Sequence, residues 1–195
     1  MASNMENPSA RRKNRWSLPI WGIAALLLLL PAVAMRFTSE VDWTASDFVV
    51  MGAMLAIACG AYEVVARMSS NTSYRAAVGI AIVTAFVTVW VNLAVGMLGS
   101  EDNPANLLFG GVLAVGFIGA LVARFRTRGM ARAMLATALT QAGMTLYALV
   151  GGYAEVVFHV GLFIIPWLLS ALLFRKAARN SWLLAAAKTG SKISV

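Results

Sequence analysis

The feature that most constrains this chain is a series of apolar stretches, each about 20 residues long, separated by short polar segments. A helix of that length crosses the hydrocarbon core of a bilayer, because it satisfies its backbone hydrogen bonds internally. Six stretches qualify, and Glu63 is the one charged residue that lies away from their ends. The predicted spans are residues 16–35, 46–66, 75–100, 104–123, 132–152 and 155–174.

The composition also indicates that lipid surrounds most of this chain. Hydrophobic residues make up 60% of the 195 residues and charged residues only 12%, whereas soluble domains have about 45–50% and about 25%. A soluble core of this size would not hide so much apolar surface. We therefore predict an all-α polytopic bundle of six helices, with short loops that make sequential helices antiparallel neighbours.

Charge placement predicts the orientation. With the N-terminus inside, every Lys and Arg except Arg36 falls on the cytoplasmic side, as the positive-inside rule requires. Both termini are then cytoplasmic basic tails, at residues 1–15 and 175–195, and a five-span arrangement would break the pattern at the C-terminus. The predicted partner is a bilayer with an anionic inner leaflet, at about 1 kcal/mol per basic residue. Nucleic acid is not expected, since no basic face accompanies a soluble fold.

The first span has an alternative interpretation. Its basic start, its leucine run and Ala32-Val33-Ala34 also resemble a signal peptide with an A-x-A cleavage site. We favour an uncleaved anchor and keep the cleaved signal as the alternative.

Glu63 lies four residues before Arg67. An ionisable group within a span suggests function, since it costs about 2.5–3.5 kcal/mol at the bilayer midplane. A structural ion pair is the simpler interpretation, because residues i and i+4 share a helix face and Arg67 can extend its charged head to water. We expect the pair, and a proton or ion site is the alternative.

Acidic residues collect on the opposite side, where they predict an outer mouth that concentrates cations. Glu155 and His159 share a helix face, and this carboxylate–imidazole pair could hold a divalent metal. A solvated rim that only obeys the topology rule is the plainer alternative. The residues of the predicted mouth are Glu40, Asp42, Asp47, Glu101, Asp102, Glu155 and His159.

Polar side chains within the spans are expected to join helices by hydrogen bonds of about 1 kcal/mol or less each. The functional alternative is that these side chains line a permeation path. These residues are Asn92, Gln141, Thr84, Thr88, Thr137, Thr140 and Thr145.

The sequence lacks the residues that several kinds of cofactor site and active site require. One cysteine, Cys59, and one histidine, His159, cannot form an intrachain disulfide, a cysteine zinc site or bis-histidine haem ligation. No lysine lies inside a span to form a retinal Schiff base, and no metalloprotease, nucleophile-elbow or phosphate-loop motif occurs. We predict a non-enzyme without catalytic residues or cofactor.

A resemblance to known proteins is carried by two outer loops, MRFTSEVDW at residues 35–43 and GSEDNPAN at residues 99–106. They resemble segments of small multi-pass bacterial inner-membrane proteins of uncharacterised function. The resemblance implies a bacterial inner-membrane setting and brings no catalytic residues.

Three functions follow as hypotheses. The first is passage or binding of a small solute or cation, entered from the acidic outer face. The second is a structural or accessory subunit of a larger membrane complex or homo-oligomer. The third, a membrane enzyme, would need a cofactor or polar pocket that the sequence does not indicate.

Overall fold

The computed structural model describes residues 17–190, with side-chain surroundings for residues 18–181. This part of the chain is helical and contains no β-strand, which confirms the all-α prediction. Short 3₁₀ turns, Pro104–Leu107 and Ala154–Val156, precede the fourth and sixth helices. The helices are α1 (Ser17–Ala34), α2 (Ala45–Met68), α3 (Thr72–Ala94), α4 (Leu108–Val122), α5 (Thr127–Val150), α6 (Val157–Leu162) and α7 (Ile164–Gly190).

Five helical segments are long and apolar enough to cross a membrane, as expected of a multi-pass membrane protein. Helix α1 has 18 residues, which extend about 27 Å at about 1.5 Å per residue, near the lower limit for a span. Its crossing therefore stays a prediction. The five segments are Ala45–Met68, Thr72–Ala94, Pro104–Val122, Thr127–Val150 and Ala154–Ser181.

The chain divides into two compact units, Met1–Cys59 and Gly60–Val195. In the first unit, α1 exposes most of its large apolar side chains. The start of α2 is capped, because the Thr44 amide donates to Asp47 Oδ2 at 2.7 Å. This bond satisfies an N–H that the helix itself leaves free.

In the second unit, α7 packs against both α3 and α5, and α4 packs against α5. Ser170 Oγ on α7 donates to the Ala77 carbonyl on α3 at 2.9 Å, and the rings of Tyr74 and Phe174 meet edge to face at 5.2 Å. The expectation that sequential helices are neighbours therefore holds for α4 and α5. It is wrong for α3, whose small and aromatic face fits α7 rather than α4.

Helix α3 ends at Ala94, six residues before the end predicted for this span at residue 100. Gly96 and Gly99 adopt φ values of +70° and +81°. This left-handed conformation terminates helices and favours glycine. The residues that follow Ala94 thus form a loop between α3 and α4.

The last predicted span differs more. The helix is interrupted at Phe163, and α7 then continues to Gly190, so residues 175–190 of the predicted tail are helical. Pro166 lies in the first turn of α7, where a missing N–H breaks no helical hydrogen bond. Past residue 174 the chain is rich in Ala, Leu, Arg and Lys, which are strong helix formers and extend the helix.

Candidate functional site

Helices α5 and α7 carry the same short pattern, two arginines four residues apart with an alanine before the second. The pattern reads RGMAR at residues 128–132 and RKAAR at residues 175–179. Arginines at i and i+4 project from one helix face, about 6 Å apart along the axis. Helix α5 runs antiparallel to the α6–α7 segment, since Gln141 bonds Val160 of α6 near one end, while Ala131 of α5 and Ala178 of α7 line one cleft at the other.

The four arginines line one cleft of about 410 Å³, hereafter the arginine cleft. Ala131, which is 4% exposed, and the half-buried Ala178 complete its lining. Small side chains at these two positions leave space between the longer arginines. The arginines of the cleft are Arg128, Arg132, Arg175 and Arg179.

A second cleft of about 350 Å³ adjoins the first and shares Arg128 and Ala178 with it. Arg126, Thr127 and Ser181 complete its lining. The two clefts together form a basic, open surface at this end of the second unit, which we call the basic end (residues 124–132 and 175–181).

The charge of the arginine cleft has no counter-charge within the described residues. Within the described residues, the salt bridge joins Arg67 to Glu63, which both lie outside the cleft. None of the four cleft arginines has a carboxylate within 4.0 Å. In the whole sequence, only Glu6 and Glu63 lie outside the acidic set predicted for the outer mouth. Guanidinium groups bind phosphate and carboxylate through paired N–H donors, so the cleft is chemically suited to an anion.

The backbone beneath the cleft is held by a close contact between α4 and α5. A Cβ built at Gly119 would lie 2.8 Å from the Cβ of Ala133. The turn between the helices places Arg124 and Phe125 at φ values of 47° and 56°, and Tyr74 donates its hydroxyl proton to the Phe125 carbonyl at 2.8 Å. Arg128 and Arg132 therefore project from a tightly fixed helix start.

Glu63 and Arg67 form an ion pair with 2.6 Å between Glu63 Oε1 and Arg67 Nη2. The Glu63 side chain is 18% exposed and the Arg67 side chain 61% exposed, so the cation reaches outward while the acid is largely covered. The geometry is that of the structural pair, and a proton or ion role stays a prediction.

The acids predicted for the outer mouth lie on exposed surface. In the first unit, Glu40, Asp42 and Asp47 are exposed, and Asp47 accepts the hydrogen bonds of the α2 cap. Neither cleft is lined by any residue of the predicted mouth. Among the described residues, no three His, Cys, Asp or Glu side chains come together in a way that could hold a metal ion. The members of the predicted mouth in the second unit are exposed as well, and they are Glu101, Asp102, Glu155 and His159.

Amide side chains close this acidic end of the second unit (residues 97–106 and 151–159). Asn106 is buried, accepts the amides of Met97 and Leu98 at 3.0 and 2.8 Å, and donates to the Ser100 carbonyl at 2.7 Å. Asn103 caps the turn before α4 and donates to the Tyr153 hydroxyl at 3.0 Å. The loops are thus fastened to each other beneath the exposed acids.

Most polar side chains within the spans do not join helices, and this part of the sequence prediction is wrong. Of the seven expected to do so, only Gln141 reaches another helix, where it donates to the Val160 carbonyl at 2.9 Å. The others donate to the carbonyl four residues earlier in their own helix, a common bond for threonine. These are Thr84, Thr88, Asn92, Thr137, Thr140 and Thr145.

The arginine cleft was missed at the level of sequence, where its four arginines served only as markers of the cytoplasmic side. The repeated spacing of two arginines and an alanine on α5 and α7 is the signal that could have found it. Recognising the site also requires α5 and α7 to be neighbours, which loop lengths do not reveal.

No family model matches this sequence, and no curated protein or solved structure matches it.

Proposed function

We propose that this chain is a non-enzymatic accessory or structural protein of the membrane, which binds an anionic, phosphate-bearing group in the arginine cleft. One observation carries the proposal: four arginines from two helices line a single cleft, and none has a carboxylate partner among the described residues. Such a charge cluster gains favourable interactions only when an anion arrives.

Phosphate suits the cleft better than a lone carboxylate. A phosphate group offers several acceptor oxygens, and each guanidinium presents a planar fork that can engage two of them. Two pairs of arginines on facing helices can therefore share one phosphate or hold two neighbouring ones. A single carboxylate has too few acceptor sites for four such forks.

An accessory role is supported by how the interior of the second unit is used. Its buried threonines donate hydrogen bonds to carbonyls of their own helices. Ser170 and Gln141 donate to carbonyls of adjacent helices. The hydroxyl groups and the Gln141 amide nitrogen are thus already engaged, so they offer few free donors to a permeating solute. We therefore propose the basic end as the binding site.

The proposed setting is a bacterial inner membrane, with α1 as a sixth span and both termini in the cytoplasm. The support is the positive-inside rule, since the basic residues other than Arg36 then face the cytoplasm. Single cysteines at Thr127 and Asp102 in a Cys59→Ala background test this. A membrane-impermeant thiol reagent applied outside intact inner-membrane spheroplasts should label position 102 and leave position 127 unlabelled.

Anion binding is tested by thermal unfolding of the purified protein in mild detergent. Sodium phosphate or pyrophosphate should raise Tm more than sodium chloride of equal ionic strength, because an anion that binds only the folded state stabilises it. Arg132→Gln/Arg175→Gln should abolish the difference. An equal response of the wild type to chloride and phosphate would argue against the proposal. Chemical crosslinking in membranes before purification identifies the protein partner that an accessory role requires.

Passage or binding of a small cation is a second candidate, because two buried amide oxygens have no hydrogen-bond partner within the described residues. They are Asn92 Oδ1 and Gln141 Oε1, and amide oxygens are ligands for hard cations. Proteoliposomes loaded with a fluorescent cation indicator test it: cation-dependent signal should fall in Gln141→Leu and persist in Thr140→Val. A signal equal to that of empty liposomes rejects this candidate.

A further inference from the structure

The exposed face of α7 changes from apolar to basic along its length. Leu168, Leu169 and Leu172 are exposed, and Leu172 is 57% exposed. Arg175 follows Leu172 by three residues, so these leucines and the cleft arginine lie along the same side of the helix. An apolar strip therefore leads directly to the arginine cleft.

Helix α5 has the same arrangement. Ala136 and Leu139 are exposed, Leu139 at 66%, and they follow Arg132 at intervals of four and three residues. Leu146 continues this exposed face farther along the helix. Both helices that supply arginines thus offer an apolar track beginning about one turn from the cleft.

From this arrangement we infer that the anion bound in the arginine cleft is the headgroup phosphate of an acidic phospholipid, whose acyl chains lie along the apolar tracks of α5 and α7. The inference rests on the proposed function, since it needs the cleft to bind a phosphate. A free phosphate would use the arginines alone, whereas a phospholipid uses the arginines and the adjoining tracks together. Basic pockets between membrane helices are known to bind acidic headgroups in this way.

The adjoining cleft refines the ligand class. Arg126 and Thr127 extend the basic lining beyond Arg128, which the two clefts share. A headgroup with two phosphates, as in diphosphatidylglycerol, can occupy both clefts at once. A headgroup with one phosphate, as in phosphatidylglycerol, fills only the first, so the lipid with two phosphates is the tighter ligand.

The test uses the full chain in phosphatidylcholine nanodiscs doped with either acidic lipid at equal total phosphate charge. Native mass spectrometry after detergent release counts the retained acidic lipid, and titration gives its relative affinity. Arg132→Gln/Arg175→Gln should weaken retention about 10- to 100-fold, as expected for losing charge-assisted hydrogen bonds at a partly exposed site. Diphosphatidylglycerol should be retained more strongly than phosphatidylglycerol.

The matched control is Arg124→Gln/Lys176→Gln, which removes the same charge from the same end of the second unit at two exposed positions outside both clefts. It should change retention by less than about threefold. If the control loses lipid as the cleft variant does, general surface charge explains the binding and the inference fails.

Soluble phosphate distinguishes this inference from the proposed function. If sodium phosphate raises Tm through the cleft arginines and no acidic lipid is retained, the lipid inference is overturned while anion binding stands. If neither phosphate nor acidic lipid binds, both are overturned. Retention of acidic lipid that depends on Arg132 and Arg175 but not on Arg124 and Lys176 supports both.

Discussion

The two ends of the second unit, which α5 connects, use polar side chains in opposite ways. At the acidic end, Asn103, Asn106 and Tyr153 are bonded to backbone and to each other. At the basic end, the arginines of the cleft line open space and have no carboxylate partner in the described part of the chain. The polar side chains of the acidic end hold its loops together, whereas the arginines of the basic end are open to a ligand.

This difference separates structural residues from candidate binding residues without reference to any other protein. Side chains that form hydrogen bonds within the protein should matter for stability, because removing them leaves buried groups without a partner. Side chains that have no internal partner should matter for a ligand and little for folding. Substitutions at both ends test that separation, and the backbone contact beneath the cleft comes first.

The largest effect is expected at Gly119, where α4 packs tightly against α5 beneath the basic end. Gly119→Val places a branched side chain where even a Cβ would lie 2.8 Å from the Cβ of Ala133, so the helices must separate. Overpacking costs about 1–3 kcal/mol, and at so close a backbone approach we expect the upper value of about 3 kcal/mol, which lowers Tm by about 6–12 °C. Phosphate stabilisation should be lost too, since α5 carries Arg128 and Arg132.

Gly110→Val is the matched control on the same helix, because a Cβ at Gly110 meets nothing within 4 Å. It should leave Tm nearly unchanged. If both valine variants unfold alike, the basic end is not built on the Gly119 contact, and the two ends do not differ in the way described.

Asn106→Ala should have the next largest effect and act at the acidic end. It removes the acceptor of two buried amides and the donor to the Ser100 carbonyl. Unsatisfied buried amides cost about 2–3 kcal/mol in total, which lowers Tm by about 4–12 °C. Ser100→Ala is the control, since Ser100 accepts this bond through its carbonyl. Equal melting of Asn106→Ala and wild type would mean that the loop is not fastened by Asn106.

Much of this architecture follows from patterns that a sequence displays. The apolar stretches predicted the membrane helices, and Asn103-Pro104 begins the turn before α4 with an asparagine cap, as its residue types favour. The end of α3 was harder, because Gly96 and Gly99 resemble other span glycines until their positive φ values are known. The helical part of the C-terminal tail was missed because charge, which marks a membrane boundary, does not end a helix.

The candidate site was less accessible because it depends on which helices are neighbours. Asn106 looks like an ordinary loop residue until its bonds to Met97 and Leu98 are seen. Likewise, Arg132 and Arg175 lie 43 positions apart, and only the packing of α7 on α5 brings them to one cleft. Local spacing predicts which residues share a helix face, whereas long-range pairing depends on the fit of whole faces.

A smaller effect is expected from Tyr153→Phe, which removes the acceptor for the Asn103 amide at 3.0 Å. Asn103 keeps its bond to the Leu98 carbonyl at 2.7 Å, so only one hydrogen bond is lost, worth about 1 kcal/mol. Tm should fall by about 2–4 °C. Tyr147→Phe, at an exposed position on α5, should change nothing measurable. A larger loss at Tyr147 than at Tyr153 would contradict the fastening of the acidic end.

The smallest effect on stability is expected from Arg132→Gln/Arg175→Gln in phosphate-free buffer, although the same change should abolish anion binding. The substitutions remove two positive charges that face like charges across the cleft and break no ion pair in the described residues. Exposed substitutions of this type shift the free energy of unfolding by about 0.5 kcal/mol or less, and relief of repulsion makes an increase the expected sign. Thermal unfolding at low and high salt checks this, because screening should erase any gain. A loss as large as that of Asn106→Ala would show that the arginines fasten α5 to α7, and the basic end would then be structural like the acidic one.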